Sequence, residues 1–235
     1  MKILVTGSRG MLGTDLVSLL QEQYPEVLGC DIHNCDILKY EQLKAVVSSY
    51  KPDIIIHTAA YTNVDKAESE EAAATELNVI GTQHIATVAK ECQSKVVYIS
   101  TDYVFDGSHV RPYSEKDLTN PSGMYGRTKF QAEQQIQQIL EDFLIVRTAW
   151  LYGKHGKNFV SAILQRTQQQ DMLRVVNDQT GTPTYVKDLA RAILTLLIHD
   201  VRGIVHITNS GQCTWYDFAE RILEYSKISH VTVLP

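Results

Sequence analysis

A glycine-rich turn directly after the first apolar run is the feature that most constrains the fold. Residues 2–6 form a short β-prone run, the turn GSRGMLG follows at 7–13, and apolar residues at helical spacing begin at Leu12. Glycines there permit a tight turn, a close approach of a pyrophosphate to the backbone and close helix–strand packing. The helix start adds free N–H groups and a positive dipole end. The spacing is GxxGxxG rather than GxGxxG, and a purely structural turn is the alternative. The residues predicted to line a dinucleotide phosphate site are Gly7, Arg9, Gly10, Met11, Leu12 and Gly13.

Apolar periodicity then alternates between strands and helices as far as about residue 150. Strands are predicted at 2–6, 27–30, 54–58, 96–100 and 143–148, and helices at 12–23, 40–49, 68–92 and 125–140. The β-α-β-α order predicts an α/β fold, a Rossmann-type doubly wound parallel sheet with helices on both faces. Beyond residue 150, glycines and prolines divide the chain into shorter pieces. We therefore expect an NAD(P)-binding domain at 1–150 and a smaller substrate-binding lobe at 151–235.

Composition excludes several other classes of protein. The chain has 235 residues with 22 Lys+Arg and 27 Asp+Glu, a formal net charge of −5, and no basic run, so nucleic acid is not an expected partner. Its apolar runs fall far short of the roughly 18–20 residues of a membrane span. No secretory signal is visible, and the four cysteines form no CxxC pair. These features favour a cytoplasmic protein with reduced thiols.

A carboxylate follows the second predicted strand, where a dinucleotide site needs one for the adenosine ribose. Asp31 lies 18 residues beyond Gly13, and a solvated loop aspartate is its alternative. Asp36 and Ile37 begin the next connection and are candidates for the adenine pocket, although a helix N-cap explains Asp36 equally well. Arg9 in the phosphate turn could pair with a 2′-phosphate. Both NADPH and NADH are therefore expected to bind.

A tyrosine and a lysine open the predicted helix at 125–140. Tyr125 and Lys129 stand at i and i+4, hence on one helical face. An ammonium near the phenol should lower the tyrosine pKa toward the working range, so that it can transfer a proton at neutral pH. Thr101 ends the strand before this helix, and its hydroxyl could hydrogen-bond the same carbonyl oxygen. Together with the glycine turn and the acid, this order of residues indicates a catalytic set.

Six segments carry a resemblance to a known superfamily. They are VTGSRGMLG at 5–13, AAYTNVDKAE at 59–68, STDYVFDG at 100–107, YGRTK at 125–129, RTAWLYG at 147–153 and DQTGTPT at 178–184. The chain resembles the extended short-chain dehydrogenases/reductases, and within them the family of dTDP-4-dehydrorhamnose reductases, over essentially its whole length. The resemblance implies reduction of the C4 keto group of dTDP-4-dehydro-6-deoxy-L-mannose with NADPH or NADH, in nucleotide-sugar and polysaccharide biosynthesis.

The resemblance also implies a role for each matching residue. The catalytic residues would be Tyr125 as general acid, Lys129 on the nicotinamide ribose, and Thr101 on the keto group. Cofactor contacts would come from Gly10, Met11 and Leu12 at the pyrophosphate, Asp31, Asp36 and Ile37 at the adenosine, Ala59, Ala60 and Tyr61 at the ribose, and Tyr103 near the nicotinamide. The substrate would meet Asp102, Trp150 and Val64, the last in a segment with Asp65 and Lys66 that closes over it. Asn78 would support the active-site backbone.

Alternatives remain open at several of these positions. Trp150 could pack between lobes, and Asp65 and Lys66 could form a surface ion pair. No metal ligand set can be completed around Asp15, although magnesium-bound carboxylates link some relatives into homodimers. Family members usually extend beyond this length, so the lobe at 151–235 is expected to be incomplete at its C-terminus.

Two other functions compete with simple reduction. A sugar-nucleotide dehydratase or epimerase is one, but a dehydratase typically carries Thr-Asp-Glu where this chain has Thr101-Asp102-Tyr103. The missing second carboxylate favours a reductase. The other is a non-catalytic NADP-binding subunit, similar to the methionine adenosyltransferase beta subunit, which shares much of this pattern.

Overall fold

A computed structural model describes all 235 residues, Met1–Pro235. Its strands are β1 (Lys2–Thr6), β2 (Glu26–Cys30), β3 (Ile54–His57), β4 (Lys95–Thr101), β5 (Phe143–Thr148), β6 (Leu151–Tyr152), β7 (Met172–Arg174), β8 (Thr180–Gly181), β9 (Thr184–Tyr185), β10 (Gly203–His206), β11 (Cys213–Thr214) and β12 (Thr232–Leu234). Its α-helices are α1 (Met11–Gln21), α2 (Tyr40–Tyr50), α3 (Val64–Ala67), α4 (Glu71–Thr75), α5 (Gly81–Cys92), α6 (Met124–Ile139), α7 (Phe159–Arg166), α8 (Val186–Ile198) and α9 (Trp215–Tyr225). None of these helices is long and apolar enough to cross a membrane.

Six parallel strands form the central sheet in the order β2-β1-β3-β4-β5-β10. The order reverses between β1 and β3, and ligands of open α/β sheets bind at the carboxyl ends of the strands beside such a reversal. The predicted doubly wound α/β fold is confirmed.

Helices cover both faces of this sheet, as the two-faced apolar strands require. On one face, α1 and α8 contribute Leu16 and Ile193 to a core with Ile56. On the other, α2, α5 and α6 bury apolar side chains around Ile55 and Tyr98. Neighbouring residues of β3 therefore face opposite cores, which explains why this strand carries no polar face.

The chain after residue 150 contributes to two different cores. α8 packs on α1 and β10 extends the central sheet beside β5. The remainder forms a separate small core from α7, α9, β7 and β12, with Ile163, Leu173 and Leu223 buried in it. The expected boundary at residue 150 therefore does not match the packing, because residues 186–206 pack with the central sheet of the first 150 residues.

The predicted long helix at 68–92 is interrupted in the structure. Helical conformation begins earlier, at Val64, breaks after Ala67, and resumes at Glu71. A π-helical turn at Glu76–Ile80 then joins α4 to α5. Such turns are frequent at functional sites, and this one holds the buried Asn78.

Candidate active site

The turn between β1 and α1 has the shape that a pyrophosphate requires. Gly7 has a φ of +63°, and a Cβ there would lie 2.7 Å from the Ala59 amide nitrogen. A Cβ at Gly13 would lie 2.1 Å from the Gly7 carbonyl oxygen. Gly10 caps α1 without any side-chain hydrogen bond, so the first N–H groups of the helix have no side-chain acceptor. The backbone is thus open to an anion at the helix N-terminus, which fits the predicted cofactor.

The predicted adenosine residues lie beside this turn at the end of β2. The Ser8 amide donates to the Cys30 carbonyl at 3.0 Å, and the Arg9 amide donates to the Asp31 carboxylate at 3.3 Å. Asp31 therefore lies beside the phosphate turn, and its contact with an adenosine ribose stays a prediction. The Arg9 guanidinium makes no hydrogen bond or ion pair within the protein, so it is available to a ligand.

Asp36 and Ile37 are more enclosed than the sequence suggests. Asp36 accepts a hydrogen bond from the Leu38 amide at 3.0 Å, the local turn contact of a capping aspartate. The Ile37 side chain is buried among the core residues, close to where a Cβ on Gly81 would stand. Any contact of Ile37 with an adenine must therefore use its backbone.

Asn78 connects the segment after β3 to the helix that carries Tyr125. It accepts from the Tyr61 amide at 2.7 Å and donates to the Tyr61 carbonyl at 3.1 Å. It also donates to the Thr128 hydroxyl at 2.9 Å. This buried amide fixes the backbone beside Ala59 and Ala60 relative to α6, the supporting role that the resemblance implies.

Thr101, Asp102, Tyr103 and Tyr125 meet at the carboxyl end of β4. The Thr101 hydroxyl donates to the Asp102 carboxylate at 3.0 Å and accepts from the Tyr103 amide at 3.2 Å. The rings of Tyr103 and Tyr125 meet edge to face with centroids 5.6 Å apart. The predicted tyrosine and threonine therefore share one site, next to the carboxyl end of β3.

Gly126 allows this meeting and was missed in the sequence. A Cβ on Gly126 would lie 2.1 Å from the Tyr103 carbonyl oxygen. Only a residue without a side chain lets the first turn of α6 approach the turn after β4 so closely. The one feature of the sequence that could have indicated this role is a glycine inside a predicted helix, where glycine lowers helix stability by about 1 kcal/mol relative to alanine.

Burial raises the pKa of Tyr125 well above its usual value. The Asp102 and Tyr103 side chains raise it further, and a hydrogen bond with Thr101 opposes them. The expectation that Lys129 lowers the pKa of this tyrosine is therefore wrong for this structure, because loss of solvation dominates. Tyr125 is held in its protonated form.

Lys129 lies one helical turn after Tyr125 on α6, and its side chain is buried. Its ammonium donates to the Ile99 carbonyl at 2.7 Å and lies 4.1 Å from the centre of the Tyr98 ring. Burial lowers its pKa to about 7, while the Glu133 carboxylate acts in the opposite direction. Glu133 is itself paired with the buried Arg147 at 2.6 Å.

The Asp102 carboxylate contacts the Thr101 hydroxyl. Burial raises its pKa to about 6, and hydrogen bonds from Thr101 and from nearby backbone amides oppose that rise. Its charge therefore changes near neutral pH. A second carboxylate is absent from the Thr101-Asp102-Tyr103 turn.

The predicted substrate residues are less closely grouped. Val64 begins α3, and the negative charge of Asp65 contributes to a raised pKa of Tyr103, after burial and Asp102. Lys66 pairs with Glu70 at 3.9 Å rather than with Asp65.

Trp150 takes part in the packing of the small lobe. Its ring stacks on Trp215 with centroids 3.5 Å apart, and a Cβ on Gly181 would lie 2.4 Å from it. Trp150 also has a positive φ of 46°. This packing accounts for the indole, and a contact with a sugar stays a prediction.

Asp15 faces the small lobe rather than a set of metal ligands. Its carboxylate lies 4.0 Å from the His155 imidazole. No group of three or more His, Cys, Asp or Glu side chains gathers there or elsewhere in the molecule in an arrangement suited to a metal ion.

Comparison with known proteins places the chain among sugar-nucleotide reductases. The model of the family described as the RmlD substrate binding domain matches residues 1–235. A dTDP-4-keto-6-deoxy-D-glucose reductase of Streptomyces niveus is 43% identical over 92% of this chain and 75% of its own length.

Two crystal structures of dTDP-4-dehydrorhamnose reductases are similar to this chain throughout. The Clostridium acetobutylicum protein is 40% identical with a TM-score of 0.96, covering 100% of this chain and 83% of that protein. The Bacillus anthracis protein, solved in complex with NADP, is 39% identical with a TM-score of 0.94, covering 100% and 84%.

Proposed function

Because this chain belongs to the family of the RmlD substrate binding domain, we propose that it is an NADPH-dependent oxidoreductase of nucleotide-sugar biosynthesis. It reduces the C4 keto group of dTDP-4-dehydro-6-deoxy-L-mannose to give dTDP-L-rhamnose. The observation that carries this function is the meeting of Tyr125 with the Thr101-Asp102-Tyr103 turn, beside a glycine turn open to a pyrophosphate.

The protein's own groups complete a reaction for which bound NADPH supplies the hydride. Tyr125 donates its proton to the C4 oxygen as negative charge develops there, which general acids do with about 10²–10⁴-fold effect. Its raised pKa keeps the proton in place until that charge appears. Thr101 orients the C4 keto group, and Lys129 binds the nicotinamide ribose.

The carboxylate pattern supports reduction over dehydration. A dehydratase must remove a proton from C5 and expel the C6 hydroxyl, which calls for an acid–base carboxylate pair beside the threonine. In this chain Tyr103 occupies the second position. We expect Asp102 to accept hydrogen bonds from the sugar.

The proposal extends to the surroundings of the enzyme. The substrate is a dTDP-sugar, and nucleic acid is not a partner of this acidic chain, with its net charge of −5. All four cysteines are free thiols, which supports a cytoplasmic enzyme. A homodimer is the alternative to a monomer, and ultracentrifugation decides between them.

The deciding experiment is the oxidation of NADPH, followed by absorbance, with a matched set of sugars. We expect turnover with dTDP-4-dehydro-6-deoxy-L-mannose, slower turnover with its D-gluco counterpart, and poor turnover with the free keto sugar, which lacks the binding energy of the nucleotide. Faster turnover of the D-gluco sugar would reassign the substrate. Tight NADPH binding without reduction of any sugar would instead support a non-catalytic binding subunit.

A further inference from the structure

We propose that Glu68 is a positioning residue, which holds the first turn of the catalytic helix α6 so that Tyr125 meets the substrate. The inference rests on the proposed reductase function. Glu68 belongs to neither the catalytic set nor the cofactor set, and it lies 57 residues before Tyr125 in the chain.

Helix α6 begins without a capping side chain of its own. Gly123 is its N-cap, and the first turn contains no acidic residue. A helix N-terminus leaves N–H groups without partners. The Glu68 carboxylate supplies one from outside the helix, because its Oε1 accepts a hydrogen bond from the Met124 amide at 2.7 Å. Negative charge at this end also suits the helix dipole.

The carboxylate is delivered by a short, locally fixed helix. Asn63 caps α3 by accepting from the Lys66 amide at 3.1 Å, and Ala67 is buried beneath it. The Glu68 amide donates to the Asp65 carbonyl at 3.3 Å. The contact to Met124 therefore ties the segment that carries Val64 and Asp65 to the residue next to Tyr125.

The first residue of α6 and the residues one turn later are held by different groups. Lys129 is fixed by the Ile99 carbonyl and Thr128 by Asn78, and both contacts are independent of Glu68. Loss of Glu68 should therefore loosen the first turn and displace the Tyr125 phenol. The cofactor contacts at Lys129 and at the glycine turn should remain. Because proton transfer requires hydrogen-bond reach, such a displacement lowers kcat more than it changes cofactor affinity.

Three variants test this assignment. Glu68→Ala removes the acceptor, Glu68→Gln keeps an oxygen that can accept from Met124, and Gly123→Ala places a Cβ 2.9 Å from the Glu68 carboxylate and so displaces it. Glu71→Ala is the matched control, because this exposed glutamate three residues further along makes no side-chain hydrogen bond or ion pair. We expect kcat to fall about 10- to 100-fold in Glu68→Ala and in Gly123→Ala. Glu68→Gln should recover most of the loss, and the dissociation constant for NADPH should change less than twofold throughout.

Amide hydrogen exchange at Met124 gives a readout that does not depend on activity. Exchange should accelerate in Glu68→Ala and Gly123→Ala and stay unchanged in Glu71→Ala. An unchanged kcat in Glu68→Ala, or a loss that Glu68→Gln does not recover, would overturn the positioning role. A wild-type protein that reduces no sugar would overturn the proposed function instead. In that case unchanged exchange at Met124 refutes the contact, and faster exchange upholds it.

Discussion

Burial acts on Tyr125 and Lys129 in the same sense, toward the uncharged form. It raises the pKa of the phenol and lowers that of the ammonium to about 7. A reductase benefits from the first effect, since its tyrosine must begin the reaction protonated. The second effect is limited by Glu133, whose charge favours the ammonium.

Tyr125→Phe should abolish most of the reduction and leave NADPH binding nearly unchanged. The phenol oxygen is the proton donor, whereas the ring contributes the edge-to-face contact with Tyr103, which phenylalanine retains. General acid catalysis typically contributes about 10²–10⁴-fold, and steady-state kinetics should show a loss of this size in kcat. Near-native turnover of the Phe variant would remove Tyr125 from the catalytic set.

Asp102 should give kcat/KM an acidic limb near pH 6. The pKa of its carboxyl is raised to about 6, so below this pH it becomes protonated and stops accepting the Thr101 hydroxyl hydrogen in its charged form. Activity should fall as the pH decreases through this value. A pH profile of Asp102→Asn should lack the limb at a lower overall rate, and a limb that persists would have to come from another group.

The order of residue types along the chain predicted which side chains share the site. It did not predict the backbone contacts that bring their elements together. Thr101, Tyr125 and Lys129 are recognisable because proton transfer needs those groups at the end of a strand and on one helical face. Gly126 and Glu68 carry no such signature. Their roles arise from contacts with Tyr103 and Met124, each on a different element, and sequence spacing contains no information on such distances.

The approach of α6 to the turn after β4 decides whether the active site exists at all. Gly126→Ala should therefore reduce kcat strongly although alanine is the better helix former. Its Cβ would lie 2.1 Å from the Tyr103 carbonyl oxygen, and the backbone has to separate to relieve that overlap. Kinetics together with thermal unfolding should show lost activity with little gain in stability. An active, more stable Ala variant would show that the contact is dispensable.

Element types were predictable where apolar periodicity was uninterrupted. β1, β3 and β5 read as strands because their apolar runs are short and lie between turn residues, and the end of β3 was misjudged by one residue, Thr58. The stretch at 68–92 read as one helix, because its periodicity continues through the π-helical turn. That turn places Asn78 against Tyr61 and Thr128, and a tertiary requirement of this kind leaves no mark on local periodicity.

At the scale of the whole molecule, the sequence predicted the sheet but not how far it extends. β10 lies more than fifty residues after β5 in the chain, yet the two strands pair directly. The apolar periodicity of α8 and β10 identifies a helix and a strand but not what they pack against. Local sequence therefore does not assign them to the central sheet. Only the apolar face of α1, which needs a second covering helix, suggests a return of the chain.

The buried His57 should lower the stability of the protein in acid, between about pH 6.5 and pH 3. This histidine is 0% exposed at the end of β3, between the Thr6 hydroxyl at 2.7 Å and the Thr82 hydroxyl at 3.0 Å. Burial, and secondarily the charge of Lys129, lowers its pKa from 6.5 to about 3. Below pH 6.5 the unfolded chain therefore binds a proton that the folded protein does not, and stability is lost as the pH falls.

The size of this effect follows from the pKa difference and can be isolated with two variants. The contribution of His57 to the free energy of unfolding should fall by about 1.4 kcal/mol for each pH unit once the pH is well below 6.5. Asp102 acts oppositely, because its raised folded pKa of about 6 adds stability as the pH falls from 6 toward 3.8. Because the two contributions offset each other, urea unfolding of Asp102→Asn should show a steeper loss of stability with falling pH than the unsubstituted protein. Adding His57→Gln should flatten this dependence on pH. A slope that survives in the double variant would mean that other groups, and not the buried imidazole, limit the protein in acid.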